Sequence, residues 1–236
     1  MTTSRSEFWT DRSVLITGCT GLLGSWLTEV LVKGGANVVG LVRDRVPRSR
    51  LFQSGLADRI TLVNGEVENF QLLERVLNEY QVETVFHLAA QPLVRDSYAT
   101  PVDTYATNVM GTVHLLEAVR HTPSVRSVVV VTSDKCYENR EWLWGYREDD
   151  PMGGHDPYSS SKGCAELVSA AYRSSYFNPD TYAAHGVAVA TARAGNVIGG
   201  GDWAQDRLVP DILAAFAGGK AVQIAAIIWA LPASGQ

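Results

Sequence analysis

Cysteine is scarce here: Cys19, Cys136 and Cys164 are the three in a chain of 236 residues. The number is odd and no C-x-x-C pair occurs. That argues against a disulfide framework and a structural zinc site, and it fits a reducing cytosol. A surplus of positive charge is missing as well. Twenty Lys and Arg against 25 Asp and Glu give a net charge of −5, which argues against nucleic-acid binding through a basic surface. No apolar run reaches the ~20 residues of a membrane span; the longest late one, Ala221 to Leu231, is broken by Gln223. The N-terminus, Met-Thr-Thr-Ser-Arg-Ser-Glu, is polar and has no apolar stretch of signal-peptide length. We expect a soluble cytoplasmic protein with no membrane, nucleic-acid or metal partner. With 46% hydrophobic and 19% charged residues, the chain can bury a core and is neither disordered nor fibrous.

Apolar runs at Val14–Ile16, Val38–Val42, Ile60–Val63, Thr84–Leu88, Val128–Val131 and Val187–Ala190 read as strands. Stretches with helical spacing lie between them, at 22–32, 70–77, 101–119 and 158–176. Strands apolar on both faces, alternating with helices, mean parallel pairing with helices on both sides. With right-handed crossovers the expected fold is α/β, a doubly wound parallel sheet of the Rossmann type. There is no internal repeat. We expect a dinucleotide-binding domain over residues 8–194 and a short extension over residues 195–236.

Gly18-Cys19-Thr20-Gly21-Leu22-Leu23-Gly24 places a G-x-x-G-x-x-G turn between the first strand and the first helix. The first glycine permits the tight turn, the second lets backbone approach a pyrophosphate, and the third lets helix and strand pack. The helix N-terminus then presents free N–H groups to the phosphates. The second strand ends Leu41-Val42-Arg43-Asp44. Asp44 suits a ribose and Arg43 suits a 2′-phosphate, so NAD and NADP both stay open. Arg43, Arg45, Arg48 and Arg50 also read as a solvated loop.

Tyr158-Ser159-Ser160-Ser161-Lys162 opens a long helix. One helical turn brings the ammonium beside the phenol, where its charge favours phenolate. A phenolate can accept a proton from a sugar hydroxyl while hydride leaves for a nicotinamide. Ser133, just past the Val128–Val131 strand, is placed to hydrogen-bond the same oxygen.

The turn Gly18 to Gly24, His87-Leu88-Ala89-Ala90-Gln91, Asn108-Val109-Met110-Gly111-Thr112 and Tyr158…Lys162 together resemble the extended short-chain dehydrogenase/reductase family. Three longer strings are similar to its CDP-glucose 4,6-dehydratase branch: Thr132 to Asn139, Asp149 to Tyr158, and Arg193 to Trp203. The likeness covers about residues 8 to 224. It implies a bound NAD regenerated within each turnover and a nucleotide-sugar substrate. Tyr158 would take the 4-hydroxyl proton, and Asp134 would protonate the departing 6-hydroxyl. Lys135 stands where dTDP-glucose dehydratases carry a glutamate; it would act as a base if neutral, or as a cation on the enolate. Gly18, Gly21, Leu22, Leu23, Gly24, Arg43, Glu66, Val67, Leu88, Ala89, Ala90, Asn108, Tyr158 and Lys162 would surround the cofactor, with Glu66 toward the adenine. Gln91, Asn196, Trp203 and Arg207 would face the nucleotide sugar. The helices at 101–119 and 158–176 imply a homodimer through a four-helix bundle. His87 reads as a packed strand residue rather than a catalyst. Trp142 and Trp144 either shape the pocket or cap the core.

The likeness fades after Gly219-Lys220-Ala221-Val222-Gln223-Ile224. Residues 225–236 lack the basic, Arg-Pro-Trp-rich segment expected next, so we expect a substrate-binding region truncated by a frameshift or premature stop. Two readings follow: an active lyase, or a catalytically silent dinucleotide-binding fragment with an exposed apolar face. GDP-mannose and dTDP-glucose dehydratases and nucleotide-sugar 4-epimerases are the alternatives among enzymes. An epimerase needs no Asp134–Lys135 pair.

Overall fold

The computed structural model describes residues 8–202 and 207–221. The chain divides into two compact units, residues 1–197 and 198–236. In the first, strands β1 (Ser13–Thr17), β2 (Asn37–Val42), β3 (Thr61–Asn64), β4 (Thr84–His87), β5 (Ser127–Val131) and β6 (Ala188–Ala192) form one sheet. All pairings are parallel and the order is β3-β2-β1-β4-β5-β6. The helices are α1 (Leu22–Lys33), α2 (Arg50–Gln53), α3 (Phe70–Glu79), α4 (Val94–Ala99), α5 (Pro101–Tyr105), α6 (Gly111–Arg120), α7 (Pro157–Ser175) and α8 (Tyr182–His185). Helix α9 (Leu208–Ala217) belongs to the second unit.

Alternation along β1 explains the doubly wound arrangement. Leu15 joins one core with Val39, Leu41, Val85, Val128 and Val130, closed by Leu73 and Val76 of α3 and Leu115 and Leu116 of α6. Val14 and Ile16 point the other way, into a core with Val38, Val42, Leu31 of α1 and Leu51 of α2. A strand buried on both faces needs apolar residues at every position, which is why the run reads as continuous rather than alternating. Among the described residues no helix is long and apolar enough to cross a membrane.

Two helix starts are fixed by side-chain caps. Asn69 Oδ1 accepts from Leu72 N at 3.0 Å at α3. Asp156 accepts from Ser159 N at 2.9 Å at α7, with Pro157 in the first helical position.

The structure also departs from the periodicity. The stretch 101–119 is not one regular helix: a wide π turn at Ala106–Met110 separates α5 from α6. Immediately after it, Gly111 packs so close to Val67 that a Cβ would lie 2.6 Å from Cγ2. Helices α2, α4, α8 and α9 lie outside the stretches with helical spacing and emerge only in the structure.

Candidate active site

The sheet order reverses between β1 and β4, and the crevice beyond the C-terminal ends of such strands is where ligands of this architecture sit. The glycine turn lies there. Gly18 has φ +75°, and a Cβ on it would fall 2.7 Å from Ala89 N. A Cβ on Gly24 would fall 2.2 Å from Gly18 O. Both glycines are demanded by the protein's own packing. Gly21 is not: it has φ −73° and ψ 171°, and a Cβ there would meet only Gly18 O, at 3.3 Å. Its glycine is explained by a close approach from outside. Helix α1 begins at this point with no side-chain cap and no acid in its first turn, so its first N–H groups and positive dipole end suit a phosphate. These residues fit a dinucleotide. Cys19 within the turn is packing; burial pushes its thiol up to about 12.

Behind the turn a buried relay fixes the chain. Thr17 Oγ1 accepts from Leu88 N at 3.2 Å and Ala89 N at 3.1 Å. Its own proton therefore goes to His87 Nδ1, 2.7 Å away. The imidazole then carries its hydrogen on Nε2 and donates to Thr112 Oγ1 at 3.3 Å, while Thr112 donates to Asn108 O at 2.8 Å. His87 is thus a packed strand residue, as expected. Burial, followed by the charge of Lys162, holds its pKa down to about 3. The unfolded imidazole takes up a proton below 6.5 that the folded one refuses. This group should therefore remove about 1.4 kcal/mol of stability per pH unit as the pH falls from 6.5 toward 3. Heteronuclear NMR of the ring should show it still neutral at about pH 5, where a free imidazole is protonated.

The π turn aims Asn108 inward. Its Oδ1 accepts from Gln91 N at 2.8 Å, and its Nδ2 donates to Gln91 O at 3.2 Å and to Ser161 Oγ at 2.8 Å. It is 2% exposed and ties the Gln91 backbone to α7. Gln91 is turned into its own loop, its amide donating to Leu93 O and accepting from Leu93 N.

Helix α7 carries Tyr158, half-buried, and Lys162, buried one turn later. Lys162 Nζ donates to the carbonyl of Val131, the last residue of β5, at 3.3 Å. Burial lowers its pKa to about 8, which Cys136 and Glu166 oppose. Ser133 Oγ donates to Asp134 Oδ1 at 3.0 Å and accepts from Lys135 N at 3.1 Å, capping the 3-10 turn Asp134–Cys136. Asp134 and Lys135 are exposed. All five residues thus gather at the C-terminal end of β5 and the start of α7.

Arg43, just past β2, is exposed and donates to Asp44 at 2.6 Å. That bond raises its pKa, with Asp44, Glu68 and Glu66 adding their charge. The two residues that leave the cofactor open in sequence are therefore partners. Arg50 is no loop residue: it opens α2, stacks on Trp26 at 3.7 Å and pairs with Glu29. Glu66 is exposed, while Val67 is buried in the core. Leu88, Ala89 and Ala90 follow β4, half-buried, and Leu22 and Leu23 open α1. Asn196 is exposed beyond β6; Arg207 precedes α9 in the second unit; Trp203 lies outside the described residues. Trp142 and Trp144 stack on each other at 5.3 Å, and Trp142 lies against Tyr146 at 5.2 Å. Trp144 is 65% exposed, so this pair is a loop-borne stack rather than a lid on the core.

Residues 15–185 match the family model described as GDP-mannose 4,6 dehydratase. The CDP-glucose 4,6-dehydratase of Salmonella typhimurium is 55% identical over 219 residues, covering 92% of this chain and 61% of that protein. A GDP-mannose 4,6-dehydratase of Sordaria araneosa is 35% identical over 168 residues, 70% of this chain and 30% of its own length. The crystal structure of dTDP-glucose 4,6-dehydratase from Bacillus anthracis in complex with NAD matches with a TM-score of 0.74 at 26% identity, covering 89% of this chain and 63% of that one. The expected fold is thereby confirmed. The chain spans about three fifths of the length of the Salmonella relative.

Proposed function

Because the chain belongs to the GDP-mannose 4,6-dehydratase family, we propose that it removes water from CDP-glucose to give CDP-4-keto-6-deoxyglucose, with NAD held at the glycine turn. The observation that carries this is the meeting of two features at the C-terminal end of β5: Tyr158 and Lys162 on α7, with Lys162 anchored to Val131, and the Asp134–Lys135 turn that follows the strand. The nucleotide and sugar follow the Salmonella relative. NAD over NADP follows the charge around Arg43, where Asp44, Glu66 and Glu68 would all oppose a 2′-phosphate.

A bound nicotinamide would accept a hydride from carbon 4 and return it to carbon 6. The chain's own residues manage protons. Tyr158 takes the 4-hydroxyl proton, its phenolate favoured by the Lys162 ammonium. Ser133 reaches the same oxygen by turning its hydroxyl from Asp134. The new ketone acidifies the carbon-5 proton, Lys135 accepts it, and Asp134 protonates the departing 6-hydroxyl, which leaves as water. Lys135 is exposed on the same turn; the ammonium it becomes on taking that proton stands beside the enolate. The Asp134–Lys135 pair also separates this reading from a 4-epimerase. Asn196, exposed beyond β6, would face the nucleotide sugar.

The test is a substrate panel of CDP-glucose, dTDP-glucose, GDP-mannose and UDP-glucose, each with NAD and with NADP. Formation of the base-absorbing 4-keto-6-deoxy product from CDP-glucose with NAD is expected. Cofactor retention without any turnover would instead mark a dinucleotide-binding protein.

We also assign it to the cytoplasm, where its three free thiols stay reduced, and propose a homodimer through α5, α6 and α7. Val102 of α5 is 78% exposed and Leu167 of α7 60% exposed, and Met110 of the π turn between α5 and α6 is exposed as well. Large apolar side chains left in solvent on these helices suit an interface. Leu167→Glu should halve the mass measured by light scattering while leaving the fold intact. An unchanged mass would remove this face from the interface.

A further inference from the structure

Glu166 is a buried carboxylate that the chemistry above does not use. It lies on α7 one turn beyond Lys162, so the two side chains share a helix face, and it is 5% exposed. Its carboxylate accepts from Thr132 Oγ1, from Thr191 Oγ1 at 2.9 Å and from Arg193 Nη2 at 3.0 Å. Thr132 stands between Val131, whose carbonyl receives the Lys162 ammonium, and Ser133. Arg193 extends the connection: Nη1 donates to the Tyr137 hydroxyl at 2.7 Å and to Glu148 O at 2.9 Å. Tyr137 closes the Asp134–Cys136 turn. One carboxylate therefore ties the helix of Tyr158 and Lys162 to the ends of β5 and β6 and, through Arg193, to the turn of Asp134 and Lys135. Burial raises a charge's reach, because little water is present to screen it.

We infer that Glu166 is a positioning residue, the counter-charge of the Lys162 ammonium and, with Arg193, the brace that seats the Asp134–Lys135 turn against α7. The inference rests on the roles proposed for Lys162 and Asp134, but its electrostatic half concerns the protein without cofactor or turnover. The groups facing the ammonium are Glu166 from α7, Cys136 from the turn and His87 from β4, with Arg193 behind Glu166. Burial pushes Glu166 up, yet the hydrogen bonds from Arg193, Thr132 and Thr191 hold it below its ordinary range, so it is present as an anion.

Signs distinguish this role from a merely structural one. Glu166→Gln removes a charge that favours the ammonium, so Lys162 should titrate lower. Arg193→Gln leaves the Glu166 charge uncompensated, so Lys162 should titrate higher. The sequence has only four lysines, and carbon NMR of the lysine-labelled apoprotein, assigned with Lys162→Met, resolves them. Opposite shifts of about one pH unit are expected, and Glu166→Asp should restore most of the wild-type midpoint. With CDP-glucose and NAD, Arg193→Gln should also lower kcat about tenfold or more with little change in KM. Unmoved midpoints, or shifts of the same sign, overturn the inference. If Glu166→Gln does not fold, Arg193→Gln decides alone: an upward shift supports the inference and any other result overturns it. Absence of turnover in the wild type would count against the dehydratase reading and leave the titration result standing.

Discussion

Tyr158→Phe is expected to lower turnover of CDP-glucose about 10³-fold, within the range that a positioned acid–base group contributes. Stability should change by no more than about 1 kcal/mol, the value of one lost hydrogen bond. The distinction follows from how the residue is held. Its backbone N–H donates to Ser97 Oγ at 3.2 Å and its carbonyl accepts from Ser161 Oγ at 2.7 Å. Neither bond uses the phenol, so the ring keeps its place when the hydroxyl is removed. Lys162 remains on Val131 and the glycine turn is untouched, so NAD binding should persist. Steady-state kinetics together with a thermal melt check this. A loss of tenfold or less would take the phenol out of the proton transfer.

The three glycines of the first turn should give two different phenotypes. In Gly24→Ala the new carbon would lie 2.2 Å from Gly18 O and 2.9 Å from Cys19 Cα. Both are backbone atoms with no flexible end to move, so α1 must shift off β1. A loss of about 3 kcal/mol or more is expected, which for a domain of this size is a melting point lower by roughly 6–12 °C. Gly18→Ala adds a positive φ to a similar clash and should behave alike. Gly21→Ala has a negative φ and meets only a milder contact, 3.3 Å from Gly18 O. Its melting point should stay within a few degrees of wild type, while NAD affinity falls at least tenfold because the methyl occupies the path of the pyrophosphate. Parallel melts and NAD titrations of the three variants separate these outcomes. If Gly21→Ala unfolds like Gly24→Ala, the middle glycine is structural and the cradle reading fails there.

What the sequence discloses and what it conceals follow from the range of each interaction. The strands are legible because β1 must feed Leu15 into one core and Val14 and Ile16 into the other, which leaves an unbroken apolar run. The start of α7 is legible in Asp156-Pro157, a cap followed by a residue that suits the first helical position. The π turn at Ala106–Met110 is not, since one residue of slippage within a helical stretch leaves the period nearly intact. Arg50 reads as a solvated cation until Trp26 and Glu29 are brought to it from another helix. Ser133 lies just past β5, but the direction of its proton toward Asp134 is a rotamer, and sequence carries no rotamers. Glu166 offers a usable signal, four residues after Lys162 on one helix. Arg193 lies inside a string that marks the family. Their contact depends on α7 crossing the end of β6, which only tertiary structure supplies.

The central claim is that the pair Tyr158 and Lys162 removes a proton beside a nicotinamide that receives and later returns the sugar's hydride. Supplying wild-type protein and NAD with CDP-glucose deuterated at carbon 4, and reading the product by NMR, tests it most directly. The deuterium is expected at carbon 6 of a 4-keto-6-deoxy product, with none released to water. Label retained at carbon 4, or washed into solvent, would contradict it.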